Sequence, residues 1–77
     1  MNKEKIITEI ANKFNIDIET ISGDSRFNED LHLDSIDLVE TLMDIEEENN
    51  IQISDEKALT IKTVDDFVNI VLEEING

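Results

Sequence analysis

The chain contains no cysteine, so neither a disulfide nor a thiolate metal site can hold its fold together. We expect a cytoplasmic protein, because a chain without disulfides fits that reducing compartment. Any thiol chemistry in which the protein takes part must come from a group that the sequence does not encode.

Basic residues and long hydrophobic runs are also scarce. Six Lys and Arg accompany twenty Asp and Glu, which gives a formal net charge of -14. This balance repels phosphate backbones and favours partners with basic surfaces, so we expect no nucleic acid ligand. The alternative interpretation of the acidic residues is that they only keep the surface well solvated. No hydrophobic segment reaches the length of a membrane span, and we expect no membrane insertion.

With 77 residues the sequence predicts one monomeric domain, residues 1–77, that is too small for a large enclosed active site. Histidine occurs once, which leaves no partner for a His-rich metal site. Ser35, His32 and Asp34 are too close in sequence to form a catalytic triad. The acidic stretch that begins at Asp30 lacks the glycine of a calcium-binding EF-hand loop. We therefore expect neither an enzyme nor a specific metal site.

Apolar residues at helical spacing predict three main helices, from Lys3 to Phe14, from about Ser35 to Asn49 and from Val64 to Ile75. Ser54 is placed to cap a fourth, short helix, and Thr63 to cap the last one. The predicted fold is all-α: a small bundle of three main helices and one short helix, with a long loop between the first and second helices.

The predicted loop, residues 15–34, is long for a compact domain, and such loops are usually functional or disordered. Gly23 and Asp24 indicate a turn within it. Six apolar residues are expected to anchor the loop to the core: Ile16, Ile18, Ile21, Phe27, Leu31 and Leu33. Beyond the loop, the stretch "NIQIS" is the one weak indication of a strand.

The loop ends in "EDLHLDSIDLVE", which places Ser35 between two aspartates at the start of the second helix. Asp34 and Asp37 have the spacing of a capping box, in which the Asp34 carboxylate accepts backbone N–H groups and leaves Ser35 free. A phosphate ester on that hydroxyl would be stabilised by the positive end of the helix. The alternative is that Ser35 is itself the N-cap.

A helical wheel of residues 36–48 assigns one sector of the second helix to the core. The members of that sector are Leu38, Val39, Leu42 and Ile45. Ile36 and Met43 fall beside it. Glu40 and Glu47 lie at the same edge. An exposed apolar pair rimmed by carboxylates is typical of a docking surface for transient partners, and an ordinary helix edge is the alternative.

The stretch "LHLDSIDLVETLMDIEEE" resembles the acyl carrier proteins, and "FNEDL" and "ISDEKALTIKTVDDFV" extend the resemblance over nearly the whole chain. In that family the serine of an Asp-Ser-Leu/Ile motif is joined through a phosphodiester to 4'-phosphopantetheine. The matching residues are Asp34, Ser35 and Ile36. Three departures leave the subfamily open: His32 replaces a glycine, Ser54 a proline and Asn49 an apolar residue.

The resemblance implies a carrier that performs no bond making on its substrate. A phosphopantetheinyl transferase would attach the arm to Ser35 from coenzyme A with Mg2+, and Asp34 would be the helix cap and a candidate Mg2+ contact. The thiol of the arm would carry acyl groups to acyltransferases, ketosynthases and other enzymes of fatty-acid or related biosynthesis. The implied partner-facing residues are Ile36, Asp37, Val39, Glu40, Met43, Glu46 and Glu47.

The resemblance further implies that acyl chains are sheltered between the helices. The candidate lining residues are Phe27, Leu42, Ile45, Ile61 and Val68, for which an ordinary core is the alternative interpretation. A specialised polyketide or aminoacyl carrier is the nearest alternative function. From another class, the alternative is an unmodified acidic helical module that binds a basic partner through the second helix.

Overall fold

The computed structural model describes residues 2–76 of the chain. Its elements in order are α1 (Lys3–Phe14), a 3₁₀ turn (Ile18–Thr20), α2 (Ser35–Asn49), α3 (Asp55–Ala58) and α4 (Val64–Asn76). The all-α prediction is confirmed, with three long helices and one short helix and no strand between residues 2 and 76. The indication of a strand in "NIQIS" is therefore wrong, and α4 continues one residue beyond the predicted Ile75.

Polar side chains at the helix starts accept the N–H groups that have no partner within the helix. The caps of α3 and α4 are Ser54 and Thr63, as predicted. The hydroxyl of each accepts the N–H of the residue three positions further along, in both cases at 3.2 Å. At the other end, α1 and α2 stop at Asn15 and Asn50, which both have φ of 54°. Asparagine tolerates this left-handed conformation better than most residues, so it ends a helix well.

The hydrophobic core contains side chains from α1, α2, α4 and the loop before α2. Its largest fully buried side chains are Ile6, Ile10, Ile45, Val64, Phe67 and Val71. The rings of Phe27 and Phe67 lie 5.6 Å apart with an interplanar angle of 51°. Tilted aromatic pairs of this kind add about 0.5–1.5 kcal/mol to the burial of the rings. The pair therefore fastens the long loop to α4.

The long loop is ordered by its own side chains, as the spacing of its apolar residues predicts. Ile21, Phe27, Leu31 and Leu33 are buried, and Ile16 is half-buried against the core. The prediction for Ile18 is wrong, because this residue begins the 3₁₀ turn at the surface and is 45% exposed.

Backbone hydrogen bonds join the loop to the segment that leads into α4. The bonds are Asp65 N to Gly23 O at 3.0 Å, Val64 N to Ser25 O at 3.0 Å and Phe27 N to Lys62 O at 3.2 Å. Arg26 and Thr63 also form an isolated antiparallel bridge. These contacts place the end of the loop, and with it the start of α2, beside the connection between α3 and α4.

Candidate functional site

The first turn of α2 is closed by two aspartates. Asp34 Oδ1 accepts the N–H of Asp37 at 3.0 Å, and Asp37 Oδ2 accepts the N–H of Asp34 at 3.1 Å. This reciprocal arrangement is a capping box. Asp34 is therefore the N-cap, as predicted, and the alternative in which Ser35 caps the helix is wrong.

Ser35 is the first residue of α2 and is exposed. Within residues 2–76 its hydroxyl forms no hydrogen bond, because Asp34 and Asp37 already satisfy the capping positions. An exposed hydroxyl beside the positive end of a helix can be esterified without loss of a structural contact, and a phosphate there is stabilised by the helix dipole.

His32 lies three residues before Ser35 and has a φ of 58°. Glycine adopts this left-handed conformation without steric cost, whereas other residues do so at a cost and histidine is among the better tolerated. The requirement for positive φ gives a physical reason why glycine suits this position. The chain turns here into Leu33, whose N–H donates to Phe27 O at 2.7 Å, and then enters α2.

Ser35 borders a surface cavity of about 250 Å³ between the loop and the α3–α4 connection. The cavity is lined by four apolar side chains, Phe27, Leu33, Leu38 and Ile61, and by Arg26, Asn28, Glu29, Asp34, Ser35 and Lys62. Apolar and polar groups thus share one surface next to the exposed hydroxyl. A flexible group attached to Ser35, with both amide and hydrocarbon parts, is chemically matched to these walls.

Only part of the predicted acyl lining lies at this cavity. Phe27 and Ile61 line it. Leu42, Ile45 and Val68 are at most 3% exposed and pack in the core instead. Two lining residues, Leu33 and Leu38, were predicted only as a loop anchor and a core residue. Leu33 directly precedes the Asp-Ser-Ile motif and Leu38 follows it by two positions, and this closeness to Ser35 is the signal that could have assigned them to the cavity.

The apolar edge of α2 is more exposed than the helical wheel predicts. Ile36 and Met43 are 66% and 60% exposed, and Val39 is 46% exposed. The assignment of Val39 to the core is therefore wrong. Thr41, on the other side of the core sector, is buried instead. It is 3% exposed, and its Oγ1 donates to Asp37 O at 2.9 Å. A threonine is buried at low cost when its hydroxyl binds a carbonyl of the preceding turn.

The acidic residues along α2 differ in their exposure and in their hydrogen bonds to the backbone. Glu40 and Glu47 are exposed, on the same helix as the apolar edge. Asp37 belongs to the capping box, and Glu46 is half-buried with its Oε2 accepting the N–H of Ile53 at 2.8 Å. Glu46 therefore holds the segment after α2, a role that its place in a run of three glutamates did not indicate.

The two other departures from the family pattern have local structural partners. Asn49 Nδ2 donates to Ile45 O at 2.9 Å in the last turn of α2. Ser54 is the cap of α3. Neither change disturbs the start of α2.

Expectations about metal binding and about membrane insertion also follow from the sequence. Residues 2–76 hold no cluster of three or more His, Cys, Asp or Glu side chains arranged to bind a metal ion. Over the same residues, no helix has both the length and the apolar character needed to cross a membrane.

Comparison with known proteins assigns the chain to a family. The family described as phosphopantetheine attachment site matches residues 4–71. The acyl carrier proteins of Rickettsia canadensis and Rickettsia prowazekii are each 46% identical to the chain over 71 residues, which cover 92% of this chain and 83% of theirs. The chain belongs to the acyl carrier protein family.

Solved acyl carrier proteins have the same fold. The crystal structure from Thermotoga maritima superposes with a TM-score of 0.80 at 32% identity and covers 95% of this chain and 85% of that one. The Enterococcus faecalis protein gives a TM-score of 0.73 at 27% identity, with coverage of 96% and 99%. The predicted fold and family are both confirmed.

Membership of the acyl carrier family fixes the general function and the cofactor. These proteins carry acyl groups on phosphopantetheine, work with phosphopantetheinyl transferases and biosynthetic enzymes, and are carriers rather than catalysts. Fatty-acid biosynthesis is their usual setting. The residues at the start of α2 fit the arm, since an exposed hydroxyl without a structural contact adjoins a cavity of mixed polarity. When bound, phosphopantetheine supplies the thiol that this cysteine-free chain lacks.

Proposed function

We propose that Ser35 is the attachment residue of this acyl carrier, and that the chain presents acyl thioesters to cytoplasmic enzymes of fatty-acid biosynthesis without catalysing a reaction itself. The observation that carries this proposal is the capping box. Because Asp34 and Asp37 satisfy the first turn of α2, the Ser35 hydroxyl is exposed and has no structural role.

The chain's own contribution to the attachment is to position one hydroxyl and stabilise its product. Asp34 fixes the backbone before Ser35 by its bond to the N–H of Asp37. Its carboxylate is also close in sequence to the reacting hydroxyl, where a transferase-bound Mg2+ could be contacted. The N–H groups of the first turn favour the negative charge of a phosphodiester on Ser35.

The docking face for partner enzymes is formed by the exposed edge of α2. Ile36, Val39 and Met43 give it an apolar centre. Glu40 and Glu47 supply exposed negative charge that attracts basic partner surfaces and speeds encounter at low salt. Asp37 and Glu46 belong to the same face, but each also holds a backbone N–H, so their substitution alters local structure as well as docking.

The cavity beside Ser35 is the proposed entrance for acyl chains. Phe27 and Ile61 lie at its surface. Leu42, Ile45 and Val68 belong to the same hydrophobic core as Phe27 and Ile61 and have at most 3% exposure. Admission of a long acyl chain therefore requires these three side chains to move apart, and the cavity widens only when such a chain is present.

A thiol titration tests the carrier role, because the chain has no cysteine of its own. Untreated apo protein should contain no reactive thiol, and treatment with coenzyme A, Mg2+ and a broad-specificity phosphopantetheinyl transferase should create one per chain. Acylation of that thiol should abolish the signal, and neutral hydroxylamine should restore it. A chain that gains no thiol under these conditions would favour the unmodified interaction module instead.

A further inference from the structure

Two of the six basic side chains of this acidic protein lie at the cavity beside Ser35. Arg26 and Lys62 both line it, together with the carboxylates of Glu29 and Asp34. The formal charges of these four residues cancel, whereas the whole chain has a net charge of -14. The formal charges of the residues that line the cavity thus sum to zero, on a molecule that is strongly negative as a whole.

The two basic residues are brought together by contacts between distant parts of the chain. Arg26 pairs with Thr63 in the isolated antiparallel bridge, and the neighbouring Phe27 N–H donates to Lys62 O at 3.2 Å. The backbone therefore fixes both residues at the same cavity, although they are 36 positions apart in sequence.

Neither basic side chain is fully engaged by a carboxylate. Arg26 Nη1 lies 3.3 Å from Glu29 Oε1, and these side chains are 59% and 67% exposed. Nη1 also lies 3.5 Å from Glu29 Oε2, but a guanidinium has five N–H donors, so donors on the other nitrogens remain for a further anion. Within residues 2–76 Lys62 forms no ion pair, although its charge helps to lower the pKa of Asp66, a carboxylate held mainly by backbone N–H groups.

We propose that Arg26 and Lys62 form a cationic clamp for the phosphodiester at Ser35, which holds the arm along the cavity instead of leaving it repelled by the acidic surface. The proposal rests on Ser35 as the attachment residue. A phosphodiester is a permanent monoanion, and Arg and Lys are the side chains that bind such oxygens best. Because both side chains are exposed, the clamp weakens as salt rises.

The test compares apo and holo forms of the wild type, of an Arg26→Gln/Lys62→Gln variant and of Lys5→Gln. Lys5 is an exposed lysine on α1 that does not line the cavity, so it controls for the loss of a positive charge. In low salt, attachment of the arm should lower the Tm of the double variant by about 2–4 °C more than it lowers the Tm of the wild type. The ³¹P resonance of the phosphodiester should shift in the double variant only.

High salt should remove both differences, since the clamp acts through screened charges. Equal changes in Tm and ³¹P shift for the wild type, the double variant and Lys5→Gln would overturn the clamp while leaving Ser35 as the attachment residue. Failure of the wild type to gain the mass of the arm would overturn both, and intact mass measured before each experiment separates the two failures.

Discussion

Asp34 and Asp37 each accept the other's backbone N–H, at 3.0 and 3.1 Å, across the first turn of α2. Ser35 lies between them and takes no part in this exchange. Helix capping and the exposed hydroxyl are thus assigned to different residues. The two properties can be removed separately by mutation.

Asp34→Ala should lower the free energy of unfolding by about 0.5–2 kcal/mol, because the N–H of Asp37 loses its acceptor. Ser35→Ala should change it by less than about 0.5 kcal/mol, since the hydroxyl has no structural contact. Urea denaturation of the apo proteins measures both values. A loss in Ser35→Ala as large as that in Asp34→Ala would mean that the serine helps to cap the helix.

His32→Val should destabilise the protein by about 1–2 kcal/mol, because a β-branched residue is poorly tolerated at a φ of 58°. His32→Gly should be neutral or stabilising by up to about 1 kcal/mol, since glycine adopts that conformation freely. Asn28→Gly is the matched control in the same loop, because Asn28 is not among the described residues with positive φ. It should destabilise the protein by increasing the entropy of the unfolded chain. Equal effects of both glycine substitutions would exclude strain at His32.

Glu9 on α1 should make the fold less stable as the pH rises toward neutrality. Partial burial and a hydrogen bond with Glu48 raise the pKa of Glu9 from 4.5 to about 7, with Asp44 adding repulsion and Lys5 opposing it. Lys13 lies at the same α1–α2 junction and pairs with Asp44. The folded state therefore binds the proton more tightly than the unfolded state. The resulting stabilisation is complete below about pH 4.5 and is lost as the pH rises through about 7.

The expected loss is on the order of 1–3 kcal/mol for a shift of this size at a partly exposed site. Glu9→Gln should remove this component of the pH dependence, and it should be at least as stable as the wild type above pH 7. Glu4→Gln, an exposed substitution on the same helix, should leave the component in place. Thermal unfolding across this pH range compares the three proteins. A profile for Glu9→Gln that matches the wild type would show that this carboxyl does not titrate with folding.

Met43→Ser should weaken binding of the carrier to a phosphopantetheinyl transferase without lowering the free energy of unfolding. Met43 is 60% exposed and lies at the centre of the proposed docking face. The KM for the carrier should rise severalfold, as expected for loss of an apolar contact worth about 1 kcal/mol. Ile18→Ser is the matched control, because Ile18 is 45% exposed and lies in the 3₁₀ turn rather than on α2. Equal KM values for the two variants would contradict the assignment of the face.

Local signals in the sequence predicted most of the fold. The caps at Ser54 and Thr63 depend on residues three positions apart, so the local sequence predicted them. For Asp34 the same spacing left Ser35 as an alternative cap, and the structure decided between the two. The helical wheel assigned Val39 to the core because that method considers only the polarity and the angular position of each residue. Thr41 is buried although it is polar, because its hydroxyl donates to the carbonyl of Asp37 in the preceding turn.

The cavity and its charges could not be predicted in the same way. They depend on the bond between Phe27 N and Lys62 O and on the bridge between Arg26 and Thr63, which join parts of the chain with no shared sequence pattern. The resemblance to acyl carrier proteins identified the candidate serine. It did not indicate that two of the few basic residues line one cavity beside that serine.

Intact mass is the most direct measurement of the central claim that Ser35 carries the arm. Apo wild type, Ser35→Ala and Ser54→Ala are each incubated with coenzyme A, Mg2+ and a phosphopantetheinyl transferase. Ser54 is likewise a serine next to an aspartate, Asp55, at the start of a helix, so it is a matched control. We predict that the wild type and Ser54→Ala each gain one phosphopantetheine and that Ser35→Ala gains none. A wild type that gains no mass, or a Ser35→Ala variant that gains as much as the wild type, would contradict the account.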